Sequence, residues 1–349
     1  MNLVGQFLRY PLVMLAYKDL APVNLKITVI IPCYRTKDFV LDVIKGIGQE
    51  VSSIIVVDDF CPDGTGEFVT ENCLDPRVIV LRNLFNMGVG GAVMRGYQAA
   101  IYRGADILIK IDGDGQMNPS LIPVIISPII SGNADYVKGN RFFDLKNIHS
   151  MPPIRIFGNA VLSFMSKLST GYWNIFDPTN GFTALHANIA TRLPFEKISS
   201  GYFFESDILF RLNLLRAVVV DMPMDSKYGN EYSNLRINKI IFEFAIKHVR
   251  NFIKRIIYHY YLRDMSIASL ELMAGLLMFI SGLIFGLYNW VNSSIEGSLT
   301  PSGTVMLAAL PILMGTQLIL AFLSYDIANV PHFPLLRTTH TRVHFNNSN

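Results

Sequence analysis

From Ile27 onward, short unbroken apolar runs alternate with segments whose apolar residues recur at helical spacing. Ile27–Ile31 is rich in β-branched residues and continuous, the pattern of a strand buried on both faces. Lys37–Gln49 has helical spacing, and Ser53–Val57 is a second buried run ending in Asp58 and Asp59. Helix over Gly64–Asn72, strand over Arg77–Leu81, helix over Gly90–Arg103 and strand over Ile107–Ile111 follow. This last run leads straight into Asp112-Gly113-Asp114-Gly115-Gln116. Such alternation predicts βαβ units and a mainly parallel sheet that binds ligands at the carboxyl ends of its strands. The stretch from Asn133 to Asp225 is less regular. It carries strand patterns at Ala134–Lys138 and Ala217–Met222 and helical patterns at Arg155–Leu168 and Glu205–Leu215.

Beyond Tyr228 the pattern changes. Between Arg236 and Arg263, seven Lys/Arg residues (Arg236, Lys239, Lys247, Arg250, Lys254, Arg255 and Arg263) and one acid, Glu243, interleave with Ile, Phe, Val and Tyr at helix-like spacing. Alone, that is a solvated helix face. It is followed, however, by Ile267–Val291, 25 residues with the single acid Glu271, and then by the uncharged Thr304–Tyr325. At about 1.5 Å per residue, each run reaches across a hydrocarbon core of about 30 Å. A basic amphipathic stretch before a transmembrane hairpin reads as a membrane-surface element facing anionic headgroups. The loop Asn292–Gly303 lacks Lys and Arg, whereas the preceding stretch and the tail (Arg337, Arg342) carry them, so both ends of the hairpin are expected in the cytosol. The first segment, Met1–Leu20, is apolar but interrupted by Arg9, Pro11 and Lys18, which suits an interfacial or packing helix better than a signal peptide.

Composition agrees with a chain partly in lipid: 51% of residues are hydrophobic and 16% charged, against about 25% charged in soluble domains. A net charge of +3 gives no case for nucleic acid. Cys33, Cys61 and Cys73 lack metal-ligand spacing and are expected to be reduced, buried and cytosol-facing.

The chemistry centres on Asp112 and Asp114. Two carboxylates two residues apart at a strand end both reach the crevice if the backbone turns at Gly113 and Gly115, and such hard oxygens suit Mg²⁺ or Mn²⁺ bridging a diphosphate. Other motifs fail. An EF-hand loop starting at Asp112 needs Gly and Glu where Met117 and Pro123 stand. The P-loop spacing of Gly91 and Gly96 runs into Tyr97 and Gln98. A dinucleotide fingerprint from Gly88 needs glycine at Val93.

Taken in order, Val29–Tyr34 with Pro32, Val56–Asp59 with Pro62–Thr65, Asn86–Gly88 with Gly91 and Ala92, and Asp112–Gln116 resemble the GT-A fold family 2 glycosyltransferases. Gly139–Phe142, Arg155 with Asn159, Asp177–Phe182 and the terminal hairpin look most like the polyprenyl-phosphate subgroup, which includes dolichol-phosphate mannose synthase. The resemblance covers roughly residues 25 to 325.

That resemblance implies Pro32, Tyr34, Val57 and Asp59 around the nucleoside, although helix capping is an alternative for Asp59. It implies Asp112, Asp114 and Gln116 at the metal and diphosphate, and Asp177 near the sugar, unless it merely forms a turn. Arg141 would meet a phosphate of donor or acceptor, with a surface ion pair as the alternative. The family's usual Pro-x-Tyr-Asn-Glu is Pro32-Cys33-Tyr34-Arg35-Thr36 here, without the carboxylate, and Lys227 and Arg236 stand in for a later cation cluster. The implied organisation is an N-terminal segment 1–24, a GT-A domain 25–230, basic juxtamembrane helices 231–265, two transmembrane helices within 266–326 (267–291 and 304–325) and a cytosolic tail 327–349. The implied function is metal-dependent, inverting transfer of a sugar from a nucleotide-diphosphate donor to a membrane polyprenyl phosphate, as in a bacterial inner membrane. Lys254 and Arg255 are expected to hold the acceptor side. Transfer to a lipid-linked sugar hydroxyl, with Asp177 or Glu205 as base, and polysaccharide synthesis are the enzymatic alternatives. Neither Trp173 nor Trp290 fits the Gln-x-x-Arg-Trp motif of the synthases. An inactive nucleotide-sugar-binding scaffold is the non-enzymatic one. The oligomeric state stays open, a homo-oligomer included.

Overall fold

A computed structural model describes residues 25–143, 153–224 and 237–336. The N-terminal segment, Lys227, Arg236 and the tail beyond Leu336 lie outside them. Strands β1 (Ile27–Cys33), β2 (Ser53–Asp58), β3 (Val78–Arg82) and β4 (Ile107–Lys110) alternate with helices α1 (Val40–Lys45), α2 (Thr65–Asn72) and α3 (Gly88–Tyr102). Next come α4 (Ile122–Ile130), β5 (Tyr136–Asn140), α5 (Pro153–Thr170), β6 (Thr183–His186), α6 (Phe204–Leu215) and β7 (Val219–Pro223). Helix α1 is shorter than Lys37–Gln49. A turn at Thr36–Phe39 precedes it, and Gly46 caps it.

The seven strands form one sheet in the order β3-β2-β1-β4-β6-β5-β7. Strand β6 runs antiparallel between β4 and β5, and the other pairs are parallel. Because side chains alternate across a strand, the sheet has two unlike faces. Val29, Ile31, Ile54, Val56, Ile107 and Ile109 join Val43 and Ile44 of α1 and Ile122, Ile125, Ile126 and Ile129 of α4 in one apolar cluster. On the other face α3 lies so close that a side chain at Gly96 would collide with Ile30 and Val57. That face also carries a polar row set by register: Lys110 opposite Thr183, Thr183 opposite Lys138, and Lys138 opposite Asp221.

The chain divides into two compact units. One comprises the residues up to Asn251 together with those from Pro331, the other Phe252–Val330. In the first, Leu335 and Leu336 donate their backbone N–H groups to Asp135 (3.0 and 3.2 Å), and Leu336 is buried in the apolar cluster. The final residues described, from Pro331, thus belong to the sheet domain.

Helix α7 (Ile237–Ile257) leads through a π-helical turn, Tyr258–Arg263, to α8 (Ile267–Glu296) and α9 (Ser302–Ala328). Down one side of α7, Phe242, Ile246, Val249, Ile253 and Ile257 are exposed at three- and four-residue intervals. Helices α8 and α9 are long and apolar enough to cross a membrane; α8 runs five residues past Val291, and α9 is longer at each end than Thr304–Tyr325. They meet through glycines. A Cβ at Gly315 would lie 2.6 Å from the Phe279 nitrogen and 2.7 Å from the Gly275 oxygen. Backbone cannot yield as a side chain can, and small residues of this kind let membrane helices approach closely. Gly315→Leu should therefore part the helices and destabilise the unit by about 1–3 kcal/mol. Gly303→Ala, with nothing within 4 Å of the added carbon, should be nearly neutral. Thermal unfolding in detergent measures both, and equal melting of the two variants would refute the close-packing account.

Candidate active site

The carboxyl ends of β1, β2, β4 and β5 lie along one edge of the sheet, and the motif residues fall there. Asp58 ends β2 and Asp59 follows it, and the two neighbouring carboxylates serve different partners. Asp58 accepts from Cys61 N (2.7 Å) and Gly66 N (2.6 Å) and so holds the start of α2. The capping role considered for Asp59 thus belongs to its neighbour. Asp59, also buried, accepts from Asn83 Nδ2 (2.6 Å) and Met87 N (2.8 Å), which fixes the turn leading into α3. Pro32 and Val57 pair with one another in the sheet and are buried. The Val57 side chain packs toward α3 at Gly96, so it offers the crevice backbone rather than side chain. Tyr34 is exposed beyond β1 with the Arg35 guanidinium over its ring. Arg35 and Phe60, at the ends of β1 and β2, both have left-handed backbones (φ 57° and 55°), a strained state that clusters at functional sites.

Of the three cysteines, Cys33 is buried, and burial pushes its thiol up to about 12. Cys61 and Cys73 are half-buried, contrary to expectation, because they sit beyond strand and helix ends, not inside them. All three are free thiols.

Gly113 seats the turn after β4 on β1, where a Cβ would come within 3.1 Å of Cys33 Sγ and Thr36 Oγ1. Gly115 supplies a left-handed residue, φ 76°. Asp114 is half-buried and accepts from Gln116 N at 3.0 Å. Asp112 does not simply face the crevice. Its Oδ1 lies 2.8 Å from Lys110 Nζ, which also lies 3.1 Å from Glu205 Oε1. Burial alone would lower the Lys110 ammonium, but Asp112 and Glu205 outweigh it and raise it above the ordinary lysine range.

The loop 177–182 closes in from the side. Gly181 is pressed against Lys110 and Asp112, with no room for a side chain. Asn180 turns the loop by accepting from Phe182 N (2.9 Å), and its carbonyl accepts from buried Lys138. Asp177 is buried and takes a bidentate grip from Arg141, 2.7 Å from Nε and 2.9 Å from Nη2. The ion pair expected as an alternative role for Arg141 is present, but its acid lies in the core, not on the surface. Below, Asp221 accepts from Phe176 N (2.9 Å) and Asn140 Nδ2 (3.0 Å). Burial raises Asp221 to about 6 and lowers Lys138 to about 8.

The edge therefore brings together Tyr34, Asp59, Asp112, Asp114, Gln116, Arg141 and Asp177, with Pro32 and Val57 built into the sheet beneath. Sequence reasoning did not find Lys110, Lys138 and Asp221. The available signal was a lysine inside each of two runs otherwise patterned as buried strands.

Residues 28–193 match the family described as Glycosyl transferase family 2. The UDP-N-acetylglucosamine--dolichyl-phosphate N-acetylglucosaminyltransferase of Methanococcus voltae is 30% identical over 234 residues, covering 63% of this chain and 92% of that one. This chain belongs to the family 2 glycosyltransferases. The undecaprenyl-phosphate mannosyltransferase of Micrococcus luteus is 32% identical over 175 residues, 50% of this chain and 71% of the relative. Among solved structures, glucosyl-3-phosphoglycerate synthase from Mycobacterium tuberculosis, crystallised with Mn²⁺, UDP and phosphoglyceric acid, superposes with a TM-score of 0.50 at 17% identity. The match covers 69% of this chain and 80% of that one, and it shows the shared fold. In this family 2 glycosyltransferase the GT-A sheet thus carries the two apolar C-terminal helices as an appended unit.

Two carboxylates on a glycine-hinged turn fit a small divalent cation. Magnesium-type ions use one or two protein carboxylates and complete their shell with water and substrate phosphates. No group of three or more His, Cys, Asp or Glu side chains that could hold a metal occurs among the described residues.

Proposed function

We propose that this glycosyltransferase moves a sugar from a nucleotide-diphosphate donor to a polyprenyl phosphate in the bilayer, with Mg²⁺ or Mn²⁺ and inversion at the anomeric carbon. The observation that carries the reading is the condition of the buried carboxylates. Asp177 is held by Arg141, and Asp112 and Glu205 by Lys110. A hydroxyl acceptor needs a base to take its proton. Both acids considered for that task are already committed to cations. A phosphate monoester arrives as an anion and needs none. The acceptors in the names of the two relatives, dolichyl phosphate and undecaprenyl phosphate, support the same class.

Asp114, with Asp112 beside it, would hold the metal, which when bound neutralises charge on the departing diphosphate. Tyr34 and the Asp59-braced turn border the nucleoside end of the crevice. Arg141, aligned by Asp177, presents a cation near the reacting phosphate or the sugar. Lys227 and Arg236 remain candidates for the diphosphate.

The appended helices support a membrane setting for this chemistry. Leu277, Ile284, Trp290, Leu307 and Leu313 of α8 and α9 are each more than 60% exposed, an apolar surface far beyond what water tolerates and natural to lipid. The apolar side of α7, flanked by Lys247, Arg250 and Lys254, suits the headgroup layer. The chain leaves the sheet domain for this hairpin and returns to it at Leu335. The Lys/Arg asymmetry supports both hairpin ends on one side, which we assign to the cytosol with the catalytic domain.

The test is to incubate membranes containing the protein with a panel of nucleotide-sugars and polyprenyl phosphate, and to weigh the lipid product. A single sugar added to polyprenyl phosphate is the expected result. Product formed only on sugar hydroxyls, with polyprenyl phosphate left untouched, would overturn the reading.

A further inference from the structure

Lys110 is a lysine in the middle of a sheet. It ends β4 between β1 and β6, opposite Ile30 on one side and Thr183 on the other, and only 1% of its side chain is exposed. It is too deep to touch donor or acceptor. Leaving an ammonium there is costly unless the structure uses it, and its two partners come from different elements. Asp112 begins the turn that carries Asp114, while Glu205 stands in the first turn of α6. The segment before Glu205 is itself fixed to the turn that opens α3. Gly91 N donates to the Ser200 carbonyl at 3.1 Å, and side chains at Gly88 or Gly90 would strike the backbone of Ser199–Ser200. The ammonium thus ties the two-carboxylate turn to the framework of α6 and α3.

We infer that Lys110 is a positioning residue for the metal and diphosphate site. It anchors the Asp112 carboxylate through the Lys110–Glu205 pair, so the turn bearing Asp112 and Asp114 is shaped before any ligand arrives. The inference rests on the metal reading given above. The geometry supports it on both sides: one Asp112 oxygen is held by Lys110 Nζ, and the other is confined by Gly181, which has no room for a side chain. The turn, which has glycine at both 113 and 115, is thereby held at its first carboxylate as well as at its seat on β1.

The test separates anchoring from charge. The double variant Lys110→Met, Glu205→Gln removes one positive and one negative charge together. The net charge around Asp112 is unchanged, no carboxylate of the pair is left stranded, and only the anchor is lost. Exchanging a buried pair for uncharged groups of similar size is often neutral for folding. Full-length protein in detergent is titrated with Mn²⁺ alone and free Mn²⁺ is read by electron paramagnetic resonance, with Asp114→Asn as the control. The double variant is expected to melt like the parent and to bind Mn²⁺ about tenfold or more weakly, the usual size of an outer-shell loss. The Mn²⁺ concentration for half-maximal transfer should rise in step, with the acceptor KM unchanged. Glu205→Gln alone keeps an oxygen for Lys110 to hold, so it should weaken Mn²⁺ binding less than the double variant does. The reverse order, or unchanged Mn²⁺ affinity in the double variant, overturns the inference. So does failure of the double variant to fold, which would make Lys110 a purely structural charge. A parent that binds Mn²⁺ no better than Asp114→Asn overturns the metal reading itself, and the inference with it.

Discussion

Asp114→Asn is expected to lower sugar transfer by roughly a hundredfold or more, because several kcal/mol of charge stabilisation depart with the metal. The fold should survive. Asp114 is only half-buried, and it accepts a hydrogen bond from Gln116 N, which an asparagine oxygen can also do. Loss of activity without loss of melting temperature separates a ligand from a turn former. The matching observation is the dependence of the parent enzyme on added Mg²⁺ or Mn²⁺ after chelation. Near-normal turnover by Asp114→Asn, or full activity of the parent in excess chelator, would remove the metal from the reaction.

Arg255→Ala should destabilise the helical unit by about 3–5 kcal/mol, the usual result of stranding one member of a buried ion pair. Arg255 and Asp326 are 2% and 3% exposed, with Nη1–Oδ1 and Nη2–Oδ2 bonds of 2.6 and 2.9 Å. The Tyr260 hydroxyl donates to the same carboxylate at 2.6 Å. This arginine therefore joins the end of α7 to the end of α9, and the acceptor-holding role expected for it is corrected. A buried guanidinium gripped by its own protein cannot recruit a lipid phosphate. Lys254, its exposed neighbour, keeps that role, and Lys254→Ala should change stability by no more than about 0.5 kcal/mol. Thermal unfolding in detergent distinguishes the two variants. Replacing the pair together by Arg255→Met and Asp326→Leu should recover most of the loss. A stable Arg255→Ala protein with a raised requirement for polyprenyl phosphate would restore the original assignment.

The apolar patterning of the sequence was enough to determine the architecture. Continuous β-branched runs at Ile27–Ile31, Ser53–Val57 and Ile107–Ile111 require burial on both faces, and only a helix-covered parallel sheet provides it. The two long apolar runs near the C-terminus likewise predicted helices long and apolar enough to cross a membrane. Strand ends followed by Asp59, Asp112 and Asp114 marked the edge where we place the chemistry, because open α/β sheets bind at that edge. Strand β6 escaped notice, since four residues carry too little periodicity to identify a strand. Pairing was equally hidden. Nothing near Lys110 in the chain shows that its second carboxylate is Glu205, 95 residues away, or that Arg141 grips Asp177 and Arg255 grips Asp326. A charged side chain in an apolar run declares only that a partner must exist, because burial without one is too costly. Which partner it is depends on register and helix packing, and those are decided when the chain closes on itself.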